Sequence, residues 1–164
     1  MKTVLIPTDF NVETIKIIDA FSLNYKLDGV KFIFLHSFKL SDSITDMLML
    51  SRRSRDYENI SDEFYAELEK RKQIHTSLIG GIAIEYFYGS TVAAFKNLLE
   101  DREVDAILYP KNYSFAPINK YSIDPNLLTS RCGCPVIELD LNVVNTENLF
   151  ETKMHDVSAK AISA

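Results

Sequence analysis

The sequence predicts a single α/β domain of the doubly wound, Rossmann-like kind, in which helices cover both faces of a five-stranded, mostly parallel sheet. Short apolar runs alternate with longer amphipathic segments along the chain, a pattern that is typical of consecutive βαβ units. The chain has 164 residues, of which 46% are hydrophobic and 25% charged, so one domain can bury one core. Right-handed crossovers between parallel strands then distribute the helices over both faces of the sheet.

Five short apolar runs are the predicted strands. The second run is apolar apart from Lys31, so we expect a central strand that is covered on both faces. The last run begins with Pro135, and a proline at the start of a strand suits the edge of a sheet. The strands are predicted over residues 4–6, 30–35, 82–88, 104–109 and 135–139.

Helical periodicity fills the intervals between these strands. Asn11 is a suitable N-cap for the first helix and Gly29 a suitable stop, while Asp19 falls among the charged positions of that helix. Gly80 and Gly81 predict a turn before the third strand. The apolar stripes are Ile15, Ile18, Phe21 and Tyr25 in the first helix and Tyr57, Ile60, Phe64 and Leu68 in a long helical region over residues 41–75; further helices are predicted over residues 92–99 and 125–131.

Charge and composition argue against nucleic acid and membranes as partners. The formal net charge is −5, and the basic cluster at residues 52–55 is followed at once by acidic residues, which indicates a solvated helix face. No apolar stretch approaches the roughly 18 residues of a membrane span, and the apolar run near the N-terminus is too short for a signal peptide. We therefore expect a cytoplasmic protein in which Cys132 and Cys134 are reduced.

The chain divides into one folded domain and a tail. The α/β domain is predicted over residues 1–141, because sheet periodicity is lost beyond Leu141. Residues 142–164 are expected to form a C-terminal tail that is partly disordered or docked as a short helix.

Four motifs in a fixed order carry a resemblance to a known family. They are VLIPTDF at residues 4–10, FLHS at 34–37, VDAIL at 104–108 and CPVIEL at 134–139. Across residues 1–140 this set resembles the universal stress protein superfamily, whose fold is that of the adenine nucleotide alpha hydrolases. The resemblance implies a five-stranded parallel sheet, a homodimer, and in many members an ATP site at the carboxyl ends of the strands.

The resemblance also implies positions for a nucleotide site. The family's carboxylate after the first strand corresponds to Asp9, preceded by Pro7 and Thr8, and the adenine would lie near the backbone of His36 and Ser37. ATP-binding members hold the phosphates with a glycine-rich loop after the fourth strand. The corresponding positions here are Pro110, Tyr113 and, with one residue of slip, Ser122 or Ile123.

The glycines of that loop are missing, since no glycine occurs between Gly89 and Gly133. Glycine lets backbone N–H groups approach phosphate oxygens closely, whereas Pro110 has no N–H to donate and Tyr113 would crowd the approach. The sequence therefore resembles a branch of the family that does not bind ATP in the usual way, and no cofactor is expected.

The loop at residues 110–124 is unusually aromatic and polar, and two interpretations of it stay open. Lys111, Tyr113 and their neighbours could hold a small polar ligand or a partner protein. Alternatively, the aromatic side chains pack the loop onto the top of the sheet, where the nucleotide would otherwise lie.

Catalytic and metal-binding interpretations are weaker than structural ones. Cys132 and Cys134 have a single residue between them and no second pair, so we expect neither a zinc site nor a redox pair. His36 and Asp9 could act as a base and its orienting group, but no nucleophile motif accompanies them. We expect His36 to bond a loop carbonyl and Asp9 to cap the first helix or stabilise its N-terminus. No catalytic residue is expected, although weak ATPase activity stays open.

Two functions follow from the sequence. The first is a universal-stress-protein-like binding or regulatory module in a stress response, dimeric through its last strand, with a protein partner or small ligand. The alternative is an adenine-nucleotide-binding member, for ATP or AMP, with an altered phosphate loop.

Overall fold

The computed structural model describes residues 2–39 and 57–142, which form one parallel sheet flanked by helices. The strand order is β3-β2-β1-β4-β5, and every pairing among these strands is parallel. The strands are β1 (Thr3–Pro7), β2 (Val30–Phe38), β3 (Ile79–Tyr88), β4 (Ala106–Lys111) and β5 (Val136–Asp140). The predicted doubly wound α/β fold is confirmed, with β2 between two strands and β5 at an edge.

Within the described residues, four α-helices connect the strands: α1 (Lys16–Asn24), α2 (Asp62–Ile74), α3 (Val92–Asp101) and α4 (Asn126–Thr129). Short 3-10 helices, Val12–Ile15 and Tyr57–Asn59, precede α1 and α2. Asn11 is the N-cap that the sequence predicts, since its side chain accepts from the backbone N–H of Glu13. Ser61 and Thr91 cap α2 and α3 in the same way. No helix in the described part of the chain is long and apolar enough to cross a membrane.

The two faces of the sheet carry separate cores. One face packs Ile6 and Phe34 against Ile18 of α1 and Phe64 of α2. The opposite face packs side chains of β1, β2 and β4 against α3 and α4; its buried members are Leu5, Leu35, Phe95, Leu99, Ile107, Ile123, Leu128 and Cys132. Successive strand residues point to opposite faces, which is why Leu5 and Ile6 belong to different cores.

A buried ionic network joins α1 to α2. The carboxylate of Asp19 accepts from Arg71 Nη2 at 3.1 Å and lies 2.9 Å from His75 Nε2. Arg71 also donates to Glu67, one turn earlier on α2. The sequence pattern places Asp19 among the charged positions between the apolar residues of the first helix and does not indicate its burial. In the structure the residue is fully buried against these partners.

Two glycine predictions are also wrong. Gly80 and Gly81 lie inside β3 and form no turn. Gly29 does not stop α1, which ends at Asn24; it has a φ of +67° in the turn that leads into β2. The backbones of Gly29 and Gly80 lie so close that a Cβ on Gly80 would meet Gly29 carbonyl atoms at 2.8 Å. Two backbone segments of the same chain approach each other closely here, and this approach, rather than a turn, requires glycine.

The predicted boundaries shift by small amounts. β4 begins two residues later than predicted, because Asp105 bonds Thr3 with both its backbone N–H and its side chain before the strand starts. In the predicted region 41–75, α2 covers residues 62–74. Of the predicted apolar stripe, Ile60, Phe64 and Leu68 are buried, whereas Tyr57 is exposed. The first part of that region, with the basic cluster, and the predicted tail beyond residue 142 lie outside the described residues.

Candidate functional site

The strand order reverses between β1 and β4, and the carboxyl ends of these two strands form the switch point of the sheet. The chain leaves β1 toward β2 and β3 on one side, and later returns to place β4 and β5 on the other side. Ligands of open α/β sheets bind in the crevice that this divergence creates. The candidate site therefore lies beside the residues that follow Pro7 and Lys111.

Residues 112–124, here named the capping loop, fold back from β4 over the carboxyl ends of β1 and β2. The loop begins at Asn112, whose φ of 56° is in the left-handed region, and this turns the chain back toward β1. Its contacts with β1 run through Tyr113 and Ala116, and those with β2 through Tyr121, Ser122 and Ile123.

Asp9 is the main anchor of the capping loop. The Tyr113 hydroxyl group donates to this carboxylate, with Oη 2.8 Å from Oδ2 and 3.0 Å from Oδ1. The backbone N–H of Ala116 donates to Oδ2 at 2.9 Å, and that of Asn11 to Oδ1 at 3.0 Å. Both oxygens of Asp9 are thus occupied by donors of the chain itself. Asn11 is the helix cap, so Asp9 does not cap the first helix directly. Its carboxylate lies beside the N-terminus of that helix instead, where it accepts from the N–H of the cap residue.

The Tyr113 hydroxyl is held in its protonated, donating form. Burial raises its pKa well above the ordinary value, and the hydrogen bond to Asp9 and the negative charges of Asp9 and Glu13 raise it further. A phenol that keeps its proton can serve as a donor to a carboxylate over the whole physiological pH range.

His36 bridges β1 and the capping loop. Its Nδ1 lies 2.7 Å from the carbonyl oxygen of Thr8, and its Nε2 lies 2.8 Å from the hydroxyl oxygen of Ser122. A carbonyl only accepts, so Nδ1 donates, and in the neutral ring Nε2 accepts from Ser122. The Ser122 oxygen in turn accepts from the N–H of Ile118. The prediction that His36 bonds a main-chain carbonyl is confirmed.

The segment between Thr8 and Phe10 is fixed by buried contacts. The Thr8 hydroxyl group lies 2.7 Å from that of Thr14 and accepts from the N–H of Phe10. Phe10 has a φ of 60°, a strained value for a bulky residue, and its ring packs against Phe64 and Tyr86. This conformation holds the Asp9 carboxylate toward the switch point while burying the next side chain.

The backbone at the end of β2 is paired with the capping loop. Ser37 accepts from the N–H of Ile123 at 3.0 Å, and the N–H of Lys39 donates to Tyr121 at 2.8 Å. An antiparallel bridge between Phe38 and Ser122 lies between these two bonds. The loop therefore adds a short antiparallel segment at the point where β2 ends.

A cavity of about 550 Å³, half open to solvent, lies against the capping loop and is also bordered by Asn126 of α4. Tyr109, Tyr113 and Phe115 supply its aromatic lining, and Asp124 supplies a carboxylate. The Phe115 ring packs edge-on against Tyr109 and Tyr113, at centroid distances of 5.7 and 5.0 Å. A cavity of this volume is in the range of small-molecule sites.

The structure brings some of the predicted site residues together and separates others. The switch point brings together Thr8, Asp9 and His36. Tyr113 lies on the capping loop, and the backbone of Ser37 pairs with that loop. Pro7 faces the core beside Phe95 and Leu128 instead. Lys111 lies apart from the site as well, in a depression between α1 and β5 that Leu23 and Asp140 also line.

The anchoring roles of two residues, Ser122 and Asp124, were not predicted from the sequence. Ser122 is the partner of His36, and Asp124 accepts from the N–H of Asn126 at the start of α4. The order Asp-Pro-Asn at residues 124–126 is the available signal, since an aspartate side chain often accepts from the N–H two residues later.

The cysteines lie next to the site but do not join it. Cys132 is buried and donates to the carbonyl of Thr129, and burial raises the pKa of the half-buried Cys134 thiol. A raised pKa disfavours the reactive thiolate. Within residues 2–39 and 57–142, no group of three or more His, Cys, Asp or Glu residues has the arrangement of a metal site.

The fold and the switch-point site define a doubly wound α/β protein with its candidate site at the carboxyl edge of the sheet. Similarity to solved structures defines the fold more closely: the chain has the universal stress protein fold. It is similar to the universal stress protein UspA from Lactobacillus plantarum, at a TM-score of 0.50 and 15% identity over 84% of this chain and 97% of that one.

Two further solved structures show the same fold. A hypothetical protein designated PH0823 matches at a TM-score of 0.54 and 17% identity, over 85% of this chain and 95% of that chain. The hypothetical protein MJ0577 matches at a TM-score of 0.50 and 16% identity, with the same two coverages. No protein-family model and no curated protein matches the sequence.

Proposed function

We propose that this chain is a universal-stress-protein-like binding or regulatory module of a stress response, and that it does not bind ATP in the family's usual way. The proposal depends above all on the bond from Tyr113 to Asp9. In the resemblance, Asp9 is the carboxylate that sits near the nucleotide. Here its oxygens already accept from Tyr113, Ala116 and Asn11, so a ligand would have to displace the capping loop.

The region where the phosphates would lie supports the same proposal. Pro110 has no N–H, and Tyr113 stands where the family has a glycine. At the start of α4, the N–H of Asn126 already donates to Asp124. A carboxylate at that position repels a phosphate electrostatically, whereas a phosphate site needs free N–H groups and no anion.

The region where the adenine would lie is occupied in a similar way. The resemblance places the base against the backbone near His36 and Ser37. The carbonyl of Ser37 accepts from Ile123, and the His36 ring is bonded to Thr8 and Ser122. The capping loop thus uses the hydrogen-bonding groups that a base would need.

Calorimetric titration of the purified chain with ATP, ADP and AMP tests the proposal. We expect no binding heat for ATP, either in the wild type or in a Tyr65→Phe control, in which a tyrosine exposed on α2 loses its hydroxyl group. Saturable ATP binding at micromolar concentration in the wild type would overturn the proposal. A nucleotide found with the freshly purified protein in a native mass spectrum would do the same.

The alternative function, adenine-nucleotide binding with an altered loop, is favoured by one observation. The Asp9 carboxylate is still at the end of β1, and a cavity of about 550 Å³ lies beside its Tyr113 partner. If ATP or AMP binds there, Asp9→Ala should abolish the binding heat, while Asp28→Asn, at an exposed position, should leave it unchanged. An affinity that Asp9→Ala does not change would eliminate this alternative.

The proposed module acts in the cytoplasm as a homodimer and through contacts with a protein partner or a small ligand, without catalysis. Neither nucleic acid nor a membrane is a proposed partner, in keeping with a net charge of −5. Among the described strands β5 pairs only with β4, and this strand edge supports the homodimer.

A further inference from the structure

The cavity against the capping loop has an aromatic lining. Tyr109, Tyr113 and Phe115 all border it, and Phe115 stands between the two tyrosines at interplanar angles of 73° and 77°. Tyr113 packs against the core of the sheet, whereas the rings of Tyr109 and Phe115 are partly exposed where they border the cavity. Ring faces carry the negative part of the aromatic quadrupole.

The charges around these rings are also negative. Asp124 borders the cavity, and Asp9 is bonded to the Tyr113 hydroxyl group. Burial raises the pKa of Tyr109 to about 12, and the charges of Asp124 and Glu138 contribute to that rise. The same negative potential that disfavours a tyrosinate favours a cation at the same place.

No lysine or arginine is among the described residues that line the cavity. Lys120, on the capping loop, has its ammonium group 5.1 Å from the centroid of Tyr121, and Lys111 lies in the depression beside β5. His36 also borders the cavity, but both of its ring nitrogens are bonded, to Thr8 and Ser122. The cavity thus offers ring faces and a carboxylate with no lysine or arginine in its lining, which is the chemistry that proteins use to hold ammonium groups.

We propose that this cavity binds a small organic cation, an amine or a methylated ammonium group, with Tyr109 and Phe115 contacting its methyl or methylene groups and Asp124 balancing its charge. The inference rests on the proposed function, because an ATP molecule held in the family's way would bring its phosphates into the same cavity. A ligand of opposite charge explains why Asp124 and an aromatic trio stand where a phosphate loop is absent.

Nuclear magnetic resonance titration of the full chain at low ionic strength tests the proposal. The probe is tetramethylammonium chloride, and tert-butanol is the neutral probe of similar size. We expect saturable shifts of the Tyr109 and Phe115 ring signals with the cation. The affinity for tert-butanol should be weaker than that for the cation by a factor of about five at least. Equal affinities for the two probes would overturn the proposal, as would shifts located elsewhere in the molecule.

Two variants separate charge from packing. Asp124→Asn keeps the oxygen that accepts from the N–H of Asn126. It should weaken the affinity for the cation by about threefold. Asp101→Asn, at an exposed position of α3, is the matched control and should leave the affinity unchanged. An Asp124→Asn variant with wild-type affinity would remove Asp124 from the site and overturn the proposal.

ATP titrated into the same samples distinguishes this inference from the proposed function. Cation binding without ATP binding supports both. ATP binding overturns the proposed function whatever the cation does, while the absence of both ligands overturns only the cation site.

Discussion

Asp19 carries the buried charge on which the contact between α1 and α2 depends. Its two oxygens face Arg71 and His75, and all three side chains are almost fully excluded from solvent. A buried ion pair adds little net stability when complete, but removal of one partner leaves a buried charge without compensation. Because losing one partner costs more than the complete pair contributes, even an isosteric change of Asp19 should have a large effect on stability.

Asp19→Asn should lower the free energy of unfolding by about 3 kcal/mol, because the neutral amide no longer balances the buried Arg71, which is left with the partly exposed Glu67 as its one carboxylate partner among the described residues. Urea denaturation followed by far-ultraviolet circular dichroism measures the change. Asp28→Asn, the same substitution at an exposed position, should change the stability by less than about 0.5 kcal/mol. If Asp19→Asn lost as little stability as this control, the buried ionic network would not be important for the stability of the fold.

Single residues show where the sequence is sufficient and where it is not. Asp9 and His36 follow from strand ends that the apolar runs locate, and parallel strands bring such ends to one edge. Asp19 could not be predicted as buried, since its partners are 52 and 56 residues away and periodicity reports only local positions. Lys111 was misplaced because neighbouring strand residues point to opposite faces, and one residue of register decides which face.

Among the elements, β3 shows how tertiary contact overrides local propensity. Two adjacent glycines predict a turn, yet the strand runs through both. The register between β2 and β3 shifts between Val30 and Lys31, beside Gly29 and Gly80. The strand starts where the two backbones can approach closely, which only the folded chain reveals.

Gly80→Ala should destabilise the protein by about 1–3 kcal/mol, because its Cβ would meet the Gly29 backbone at 2.8 Å. Gly81→Ala is the matched control: the same methyl group would meet only the side chain of Lys31, at 3.9 Å. Thermal unfolding of the two variants side by side measures the difference. Equal melting temperatures would show that the approach of Gly29 and Gly80 is not tight in solution.

Most elements were predictable because their apolar patterns are long and regular. The four helices and five strands all correspond to predicted segments, and the caps Asn11 and Thr91 fall at predicted helix starts. For the capping loop the sequence left two interpretations open, either packing of its aromatic side chains onto the sheet or binding of a ligand or partner, and it did not predict the path of the loop. Its path depends on Asp9 and Ser37, which are 104 and 86 residues away in sequence from their partners Tyr113 and Ile123.

At the scale of the whole molecule, β5 is the edge at which a second copy can add. The strand pairs only with β4 among the described strands, and Val136 on it is 39% exposed. Two such edges can pair with each other across a twofold axis, which would join two sheets into one. The proposed homodimer depends on this edge.

Val136→Lys should convert the proposed dimer to a monomer, because a lysine on a strand edge opposes the pairing of strands. Light scattering coupled to size-exclusion chromatography measures the mass of both proteins. Leu27→Lys, at a surface leucine that is also 39% exposed, is the control and should remain dimeric. A monomeric wild type at high concentration would refute the dimer itself.

The bond between Asp9 and Tyr113 closes a chain segment of 104 residues, and this has a consequence for how the molecule assembles. A contact between residues so distant carries a large entropic cost before other parts of the fold have brought them together. We therefore expect the capping loop to order late in folding, after β4 has docked beside β1. A nascent or partly folded chain would expose the carboxyl edge of its sheet, and only the finished molecule would cover it.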